Sequence, residues 1–390
     1  MLFRSSEANM SQVLVMKQCL KNFCEASGQK VNAQKTRVFF SHNVNHNIRS
    51  QLSDSLGFTM AADLGKYLGV PLHHKKVSKA DYQFVVDKVR SRLSLWKSNL
   101  FSLAARHTLV KSVVSTMPNH VMQTAIIPIS CCDEIDKRAR DFIWGSSEGK
   151  RKVHLVAWDK CCKPKSSWRL GFRHANIQNK AIFMKVGWGL ITKKDALWTK
   201  VVRSKYQCGN DLIPNINKNL NGSRLWSGVK SIWEPFVRGV EVRSHQGIQK
   251  ARWSHDRSGE FSVRSAYSLL TGEQRVGSNI WDKAWMLQIP QRCKLHIWTM
   301  LHDKLLSNER LQRWGVIQNG RCSLCLQEEE TSIHVFRDCE LVKPLWEELG
   351  VERLNLEFES DDFKSWVKLN LQSNSRLHDF NWSDMFSVMC

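Results

Sequence analysis

Four residues, Cys322, Cys325, His334 and Cys339, carry the sharpest chemistry in this chain. Their spacing is C-x2-C-x8-H-x4-C, all within eighteen residues. Three thiolates and one imidazole complete the closed tetrahedron preferred by a structural zinc ion, with Zn–S of about 2.3 Å. A two-residue gap lets one tight turn bring both leading thiolates to the same ion, and His334 and Cys339 can converge from one helical segment or a helix end. Gly320, just upstream, offers the turn conformational freedom. A lone CxxC would suit a redox pair, whereas four soft ligands this close together favour Zn2+. The full set leaves no open position for water, so the metal is read as structural and Glu328 to Glu330 need not be general bases. Fixing this loop stabilises folding where little apolar surface is available.

Other catalytic patterns are thin. No G-x-x-x-x-G-K-[ST] or H-E-x-x-H occurs. His73-His74 lack a third ligand. Asp133, Glu134 and Asp136 sit in a basic helical setting that favours solvent exposure or salt bridging over a divalent ion. The adjacent pairs Cys131-Cys132 and Cys161-Cys162 are awkward for ordinary bridges, and twelve cysteines in 390 residues fall far below a disulfide scaffold. No signal-peptide core and no run of eighteen apolar residues is visible, so the sequence predicts a reducing intracellular compartment, with the nucleus as a candidate address and no membrane partner.

Charge narrows the partner. Fifty-eight Lys and Arg against 36 Asp and Glu leave a formal +22. Residues 340–390 hold ten acidic and five basic side chains, so residues 1–339 carry +27. A body this basic attracts a polyanion and neutralises phosphates on contact. With 42% apolar and 24% charged residues, the composition is that of packed globular domains, not a disordered basic tail.

The elements that must position these groups are mostly helical. Val13, Met16, Cys19, Leu20 and Phe23 recur at helical spacing, followed by a break at Ser27-Gly28 and a strand ending at Phe39-Phe40. The two glycines and proline of residues 64–72 suit a tight ribbon. Tyr82, Val85, Val86, Val89, Leu93 and Trp96 mark one helical face, with Lys88, Arg90, Arg92 and Lys97 outside it. A second helix runs near 102–117, placing Leu109, Val110, Val113 and Val114 inward and Arg106 and Lys111 outward. A third, near 132–142, buries Ile135, Ala139 and Phe142 and leaves Lys137, Arg138 and Arg140 available. Three basic faces in succession fit a clamp on a duplex backbone, beside the plainer reading of solvated helices. Residues 135–169 hold ten basic and four acidic residues among Phe142, Trp144, Trp158 and Trp168, a composition that fits phosphate and base contact. Most of the sixteen tryptophans are nonetheless expected in cores. Further helical spacing runs over 176–206, a loop over 208–231, a boundary near 272–278, and an α-rich unit from Ile280-Trp281.

Laid end to end, the segments resemble the latter part of a plant non-LTR (LINE-type) retrotransposon reverse transcriptase. The matching residues are Ser27 to Asn32 with Lys35, Lys66 to Leu72, Leu103 to Arg106, Lys111 to Val113, Phe142 to Gly145, Trp158, Cys162, Pro164-Lys165, Leu170-Gly171, then Trp281, Trp285, Pro290, Lys294, Trp298 and the CCHC set. The resemblance implies a mainly α, multidomain chain: a residual α/β palm with primer grip (1–76), a helical thumb (77–145), a basic α-rich connector (146–272), a reverse-transcriptase zinc-binding domain (273–350) and an acidic C-terminal segment (351–390). Its implied partner is RNA or an RNA–DNA template–primer duplex, touched by Lys35, Lys66, Arg90, Arg92, Arg106, Lys111, Lys137, Arg138, Arg140, Lys150, Arg151, Lys152 and Lys165.

The same resemblance sets a limit. Polymerisation needs palm carboxylates that hold two Mg2+ ions, and the family's [YF]-x-D-D does not occur in this sequence. The only Asp-Asp pair, Asp361-Asp362, follows Ser360 in a polar acidic stretch. Trp168-Arg169 stand where relatives usually carry paired glycine. The sequence therefore predicts a nucleic-acid-binding fragment of an RNA-directed DNA polymerase with no Mg2+ catalytic site, inactive alone. The alternatives are a zinc-containing protein-interaction module, or an enzyme whose palm is supplied upstream or in trans.

Overall fold

The computed structural model describes residues 6–63, 65–67, 69–71, 78–96, 100–146, 149, 152–162, 170–217, 219, 222–245, 248–272, 280–351, 360, 362–377 and 379–390, with backbone alone at 66, 67, 245 and 248. The chain is mainly helical and divides into two units, Met1–Asp81 and Tyr82–Cys390.

The first unit is lightly built. Asn9 caps the Met10–Ser27 helix by accepting from Gln12 N at 2.9 Å, and Gly28 ends it in the left-handed conformation. A second helix, His46–Leu56, packs on the first. Arg37–Val38 pairs in parallel with Thr59–Met60, and Lys66–Tyr67 pairs with Val70–Pro71 as the expected tight ribbon. Along the first helix only Val13 is buried. Cys19 and Phe23, expected inward from their spacing, are exposed, and the strand stops at Val38, before Phe39-Phe40. Helical periodicity is satisfied here without enough neighbouring surface to cover it.

The second unit opens with the Gln83–Ser94 helix, which buries Val85, Val86, Val89 and Leu93 as its spacing predicts. It packs on the Ile129–Trp144 helix, where Trp96 meets Phe142 at 5.8 Å between ring centroids. The intervening segment departs from one plain helix. Leu103–Leu109 continues as a π-helical stretch, Val110–Val114, and Pro118 then opens a short helix, Asn119–Met122.

At the centre lies the Ala175–Thr192 helix. Its buried residues include Ala181, Ile182, Phe183 and Met184, four in a row, so it is enclosed on all sides rather than on one stripe. The periodicity over 176–206 is two helices, because the chain breaks before Leu197–Lys205. Packed on the central helix are Arg224–Val237 and Val263–Thr271. The first begins inside the stretch expected as a loop. Between them runs an antiparallel hairpin, Val240–His245 with Ile248–Trp253, in a region expected to be α-rich. Trp253 is buried among Trp188, Phe236 and Phe261 and donates to Ser265 Oγ at 2.9 Å.

The acidic C-terminal stretch is folded. Phe363–Gln372 and Trp382–Met389 pack on Gln291–Leu301, and Trp346, Trp366, Trp382 and Phe386 form one aromatic cluster. Asp362 of the Asp-Asp pair caps the first of these helices, and the Ser365 hydroxyl at 2.8 Å, with Ser365 N at 2.9 Å beside it, holds its carboxyl below the usual range.

One buried side chain ties the central helix to the preceding segment. Asn179 Oδ1 accepts from Ile127 N at 2.6 Å, and Nδ2 donates to Met122 O and Ala125 O at 3.1 Å each. Asn179→Ala strands three buried backbone groups, so a loss of at least about 2 kcal/mol in unfolding free energy is expected, at roughly 1–3 kcal/mol for an unsatisfied group. The urea midpoint measures it; Lys185→Ala, at an exposed position on the same helix, should leave the midpoint nearly unchanged.

Candidate metal centre

The cluster is built on a short β-like knuckle. Arg321 bridges Glu329 antiparallel, Cys322 N donates to Glu328 O at 2.8 Å, and Glu330 N donates to Gly320 O at 2.8 Å. The turn between them carries Cys325 and passes through Leu326 at φ 60°. Gly320 is not in the left-handed region. What its missing side chain provides is room, because a Cβ there would lie 2.2 Å from Gln312 Oε1.

The second half of the cluster comes from one element, as the spacing allowed. His334–Asp338 forms a π-helical turn, and Cys339 follows as its cap, donating its N–H to His334 O at 2.8 Å. Ligand atoms of Cys322, Cys325, His334 and Cys339 all lie within 4.8 Å of one another. Tetrahedral Zn–S bonds of about 2.3 Å place neighbouring sulfurs about 3.8 Å apart, so the donor set fits one ion. Cys325 Sγ stands 3.3 Å from His334 Nε2. Cys322, His334 and Cys339 are buried and Cys325 is partly exposed.

Backbone dipoles prepare the thiolate. N–H groups of Glu328 and Gln327 directed at Cys325 Sγ, with His334 and Cys322 adding to them, hold its pKa down to about 6. Leu324 N similarly points at Cys322 Sγ from 3.4 Å. A thiol so placed is already a metal ligand in its charge state at neutral pH.

The supporting shell escaped sequence reasoning. Glu330 accepts from Asn308 N at 2.9 Å through one oxygen, and from Asn308 Nδ2 at 2.8 Å and Ser323 N at 3.0 Å through the other. Asn308 Nδ2 also donates to Arg321 O at 3.0 Å. Glu330 and Asn308 thereby fasten the knuckle to the start of the Asn308–Arg313 helix. Glu330 acts as a clamp on the knuckle.

Residues 261–346 match the family described as zinc-binding in reverse transcriptase. The chain is 28% identical to a putative ribonuclease H protein of Arabidopsis thaliana, over 82% of this chain and 64% of that protein. An uncharacterised mitochondrial protein of the same plant is 32% identical, over 35% of this chain and 89% of its own length. The chain belongs to the plant retroelement reverse-transcriptase family. It spans somewhat under two thirds of its ribonuclease H relative. Among the described residues of this family member, the CCHC set is the one cluster suited to a metal ion.

The basic candidates of this retroelement chain fall in both units. Lys35 is exposed on a turn of the first unit. Arg90, Arg92, Lys111 and Lys137 are exposed on helices of the second. Arg138 pairs with Glu134 at 2.7 Å. Arg106 and Arg140 are half-buried rather than fully outward as expected. Lys152 is exposed, while Lys150, Arg151, Lys165, Lys97, His73-His74 and Trp168-Arg169 lie outside the described residues, as does the side chain of Lys66. The paired cysteines 131, 132, 161 and 162 are buried and unbridged, and burial pushes the Cys132 thiol up to about 12. Asp136 accepts from Ala175 N at 3.1 Å and faces His174 at 3.3 Å.

Metal analysis of the purified chain should find near-stoichiometric zinc. Cys325→Ala should remove most of it, and Cys19→Ala, at an exposed cysteine, should remove none. Glu330→Ala is expected to weaken zinc roughly 10- to 100-fold in competition with a chromophoric chelator, the usual effect of losing a supporting partner.

Proposed function

We propose that this chain is the nucleic-acid-binding part of a retroelement RNA-directed DNA polymerase, holding structured RNA or an RNA–DNA template–primer duplex without extending it. The observation that carries the reading is the +27 of residues 1–339 joined to family membership. Exposed cations on the Gln83–Ser94 and Ile129–Trp144 helices support a thumb-like clamp within 77–145, and on the same reading residues 1–76 are residual palm and 146–272 connector. The CCHC cluster would hold a structural Zn2+, which supplies folding energy and no step of a reaction.

Extension is excluded from the proposal because no [YF]-x-D-D occurs in these 390 residues and Asp362 serves as a helix cap. A second reading, a zinc-containing protein-interaction module, draws on apolar exposure near the knuckle. Leu324, Leu326, Leu341, Leu345 and Val316 are each 50% exposed or more.

Affinity for an RNA–DNA duplex measured against salt decides between them. Phosphate contacts predict a clearly negative log–log slope, with a loss of roughly a thousandfold between 50 and 200 mM salt if about six phosphates are neutralised. A flat slope would favour the interaction module. Primer extension with Mg2+ and deoxynucleotides should give no product above a blank, and incorporation by homogeneous protein would overturn the non-extending reading.

A further inference from the structure

The end of the Ile129–Trp144 helix holds cations whose side chains find no acceptor among the described residues. The helix closes on Gly145 at φ +74°, where Gly145 N donates to Phe142 O at 3.2 Å and Ser146 N to Asp141 O at 2.8 Å. Those two bonds occupy the Asp141 and Phe142 carbonyls. Arg106 and Lys152 both converge on this glycine. A Cβ built on it would lie 2.7 Å from Arg106 Nη1 and 3.5 Å from Lys152 Nζ. Any other residue at 145 would therefore displace the guanidinium, in addition to straining the backbone.

Among the described residues neither cation is paired with a carboxylate. The Arg106 side chain makes no hydrogen bond or ion pair with any of them, and its Nε is sealed from solvent without a partner. Arg140, on the last turns of the same helix, has a second sealed and unpartnered Nε. Asp141 is engaged by His154, whose Nε2 lies 3.4 Å from its Oδ1 and 3.3 Å from Ser146 Oγ. Burial pushes the Arg106 guanidinium below its usual pKa, the direction expected of a cation that lacks its anion.

A planar guanidinium and an ammonium within reach of one point match a tetrahedral oxyanion. We propose that Arg106 and Lys152, over Gly145, form a phosphate-binding subsite that seats one backbone phosphate of bound nucleic acid, with Arg140 reinforcing its charge. The proposal rests on the nucleic-acid reading above and assigns one contact point within it.

The test uses the full zinc-loaded chain and an RNA–DNA duplex. Lys152→Gln and Arg106→Gln should each weaken binding about threefold to tenfold and make the salt slope shallower by about one. Arg106→Lys, which keeps the charge if the helix end repacks, should restore the slope. With selective 15N-glycine labelling, the Gly145 amide should shift on adding duplex to the parent and stay still in both Gln variants. A steep parent slope that neither variant changes would overturn the subsite while sparing the nucleic-acid reading. A flat parent slope would remove that reading and the subsite with it. A Gly145 shift produced by inorganic phosphate, with duplex affinity unchanged in the variants, would reassign the site to free anions and overturn the backbone contact. An acidic peptide shifting Gly145 where duplex does not would likewise reject it.

Discussion

Between Leu301 and Trp346 the chain buries almost nothing apolar. Its buried residues in that span are Ser307, Gly320, Cys322, His334 and Cys339. Three of the five belong to the metal cluster, and a segment of this length cannot meet its backbone entropy cost without a substitute for a core. The CCHC donor set is placed to supply that substitute by closing around one ion, and the surrounding geometry is arranged about those four donors. The knuckle's turn aims backbone N–H groups at Cys325, an arrangement that favours thiolate over thiol. Glu330 spends both carboxylate oxygens on fixing the turn to the next helix.

The closed knuckle also has a mechanical role for the residues after it. His334 and Cys339 bracket a π-helical turn, and the residues between them point the other way. Phe336 lies 5.7 Å from His296 and 6.2 Å from Phe363 between ring centroids. Its carbonyl accepts from Trp346 Nε1 at 2.8 Å, and Trp346 leads into the aromatic cluster of Trp366, Trp382 and Phe386. One five-residue turn thus carries donor atoms of the cluster and, through Phe336, the first contacts to an aromatic core. Trp382 Nε1 donates to Asn370 Oδ1 at 2.9 Å, so this core satisfies one of its own polar groups internally.

How far the sequence was legible follows from the range of each interaction. The Gln83–Ser94 face and the CCHC set are local patterns: the structure buries the first along its apolar side and gathers the four donor atoms of the second. Glu330 and Asn179 were invisible because their partners are mostly backbone groups elsewhere in the chain, which no spacing rule reports. The hairpin was missed although Val240 and Val242 alternate with Glu241 and Arg243, because its charged face made the run look like solvated connector. The C-terminal stretch misled in a similar way. Its net negative charge suggested a solvated tail, while Phe363, Trp366, Val367, Asn370 and Leu371 repeat at helical spacing and are buried. Cys19 and Phe23 show the converse: a helical stripe was correctly located, and the first unit does not cover it.

Zinc K-edge X-ray absorption on the intact chain tests the central claim most directly. Three sulfurs at about 2.3 Å and one nitrogen at about 2.0 Å, with no oxygen in the shell, are what a closed CCHC site predicts. A shell with two sulfurs and oxygen, or one unaltered by Cys325→Ala, would place the metal elsewhere and leave residues 302–345 without the closure that their folding is argued to need.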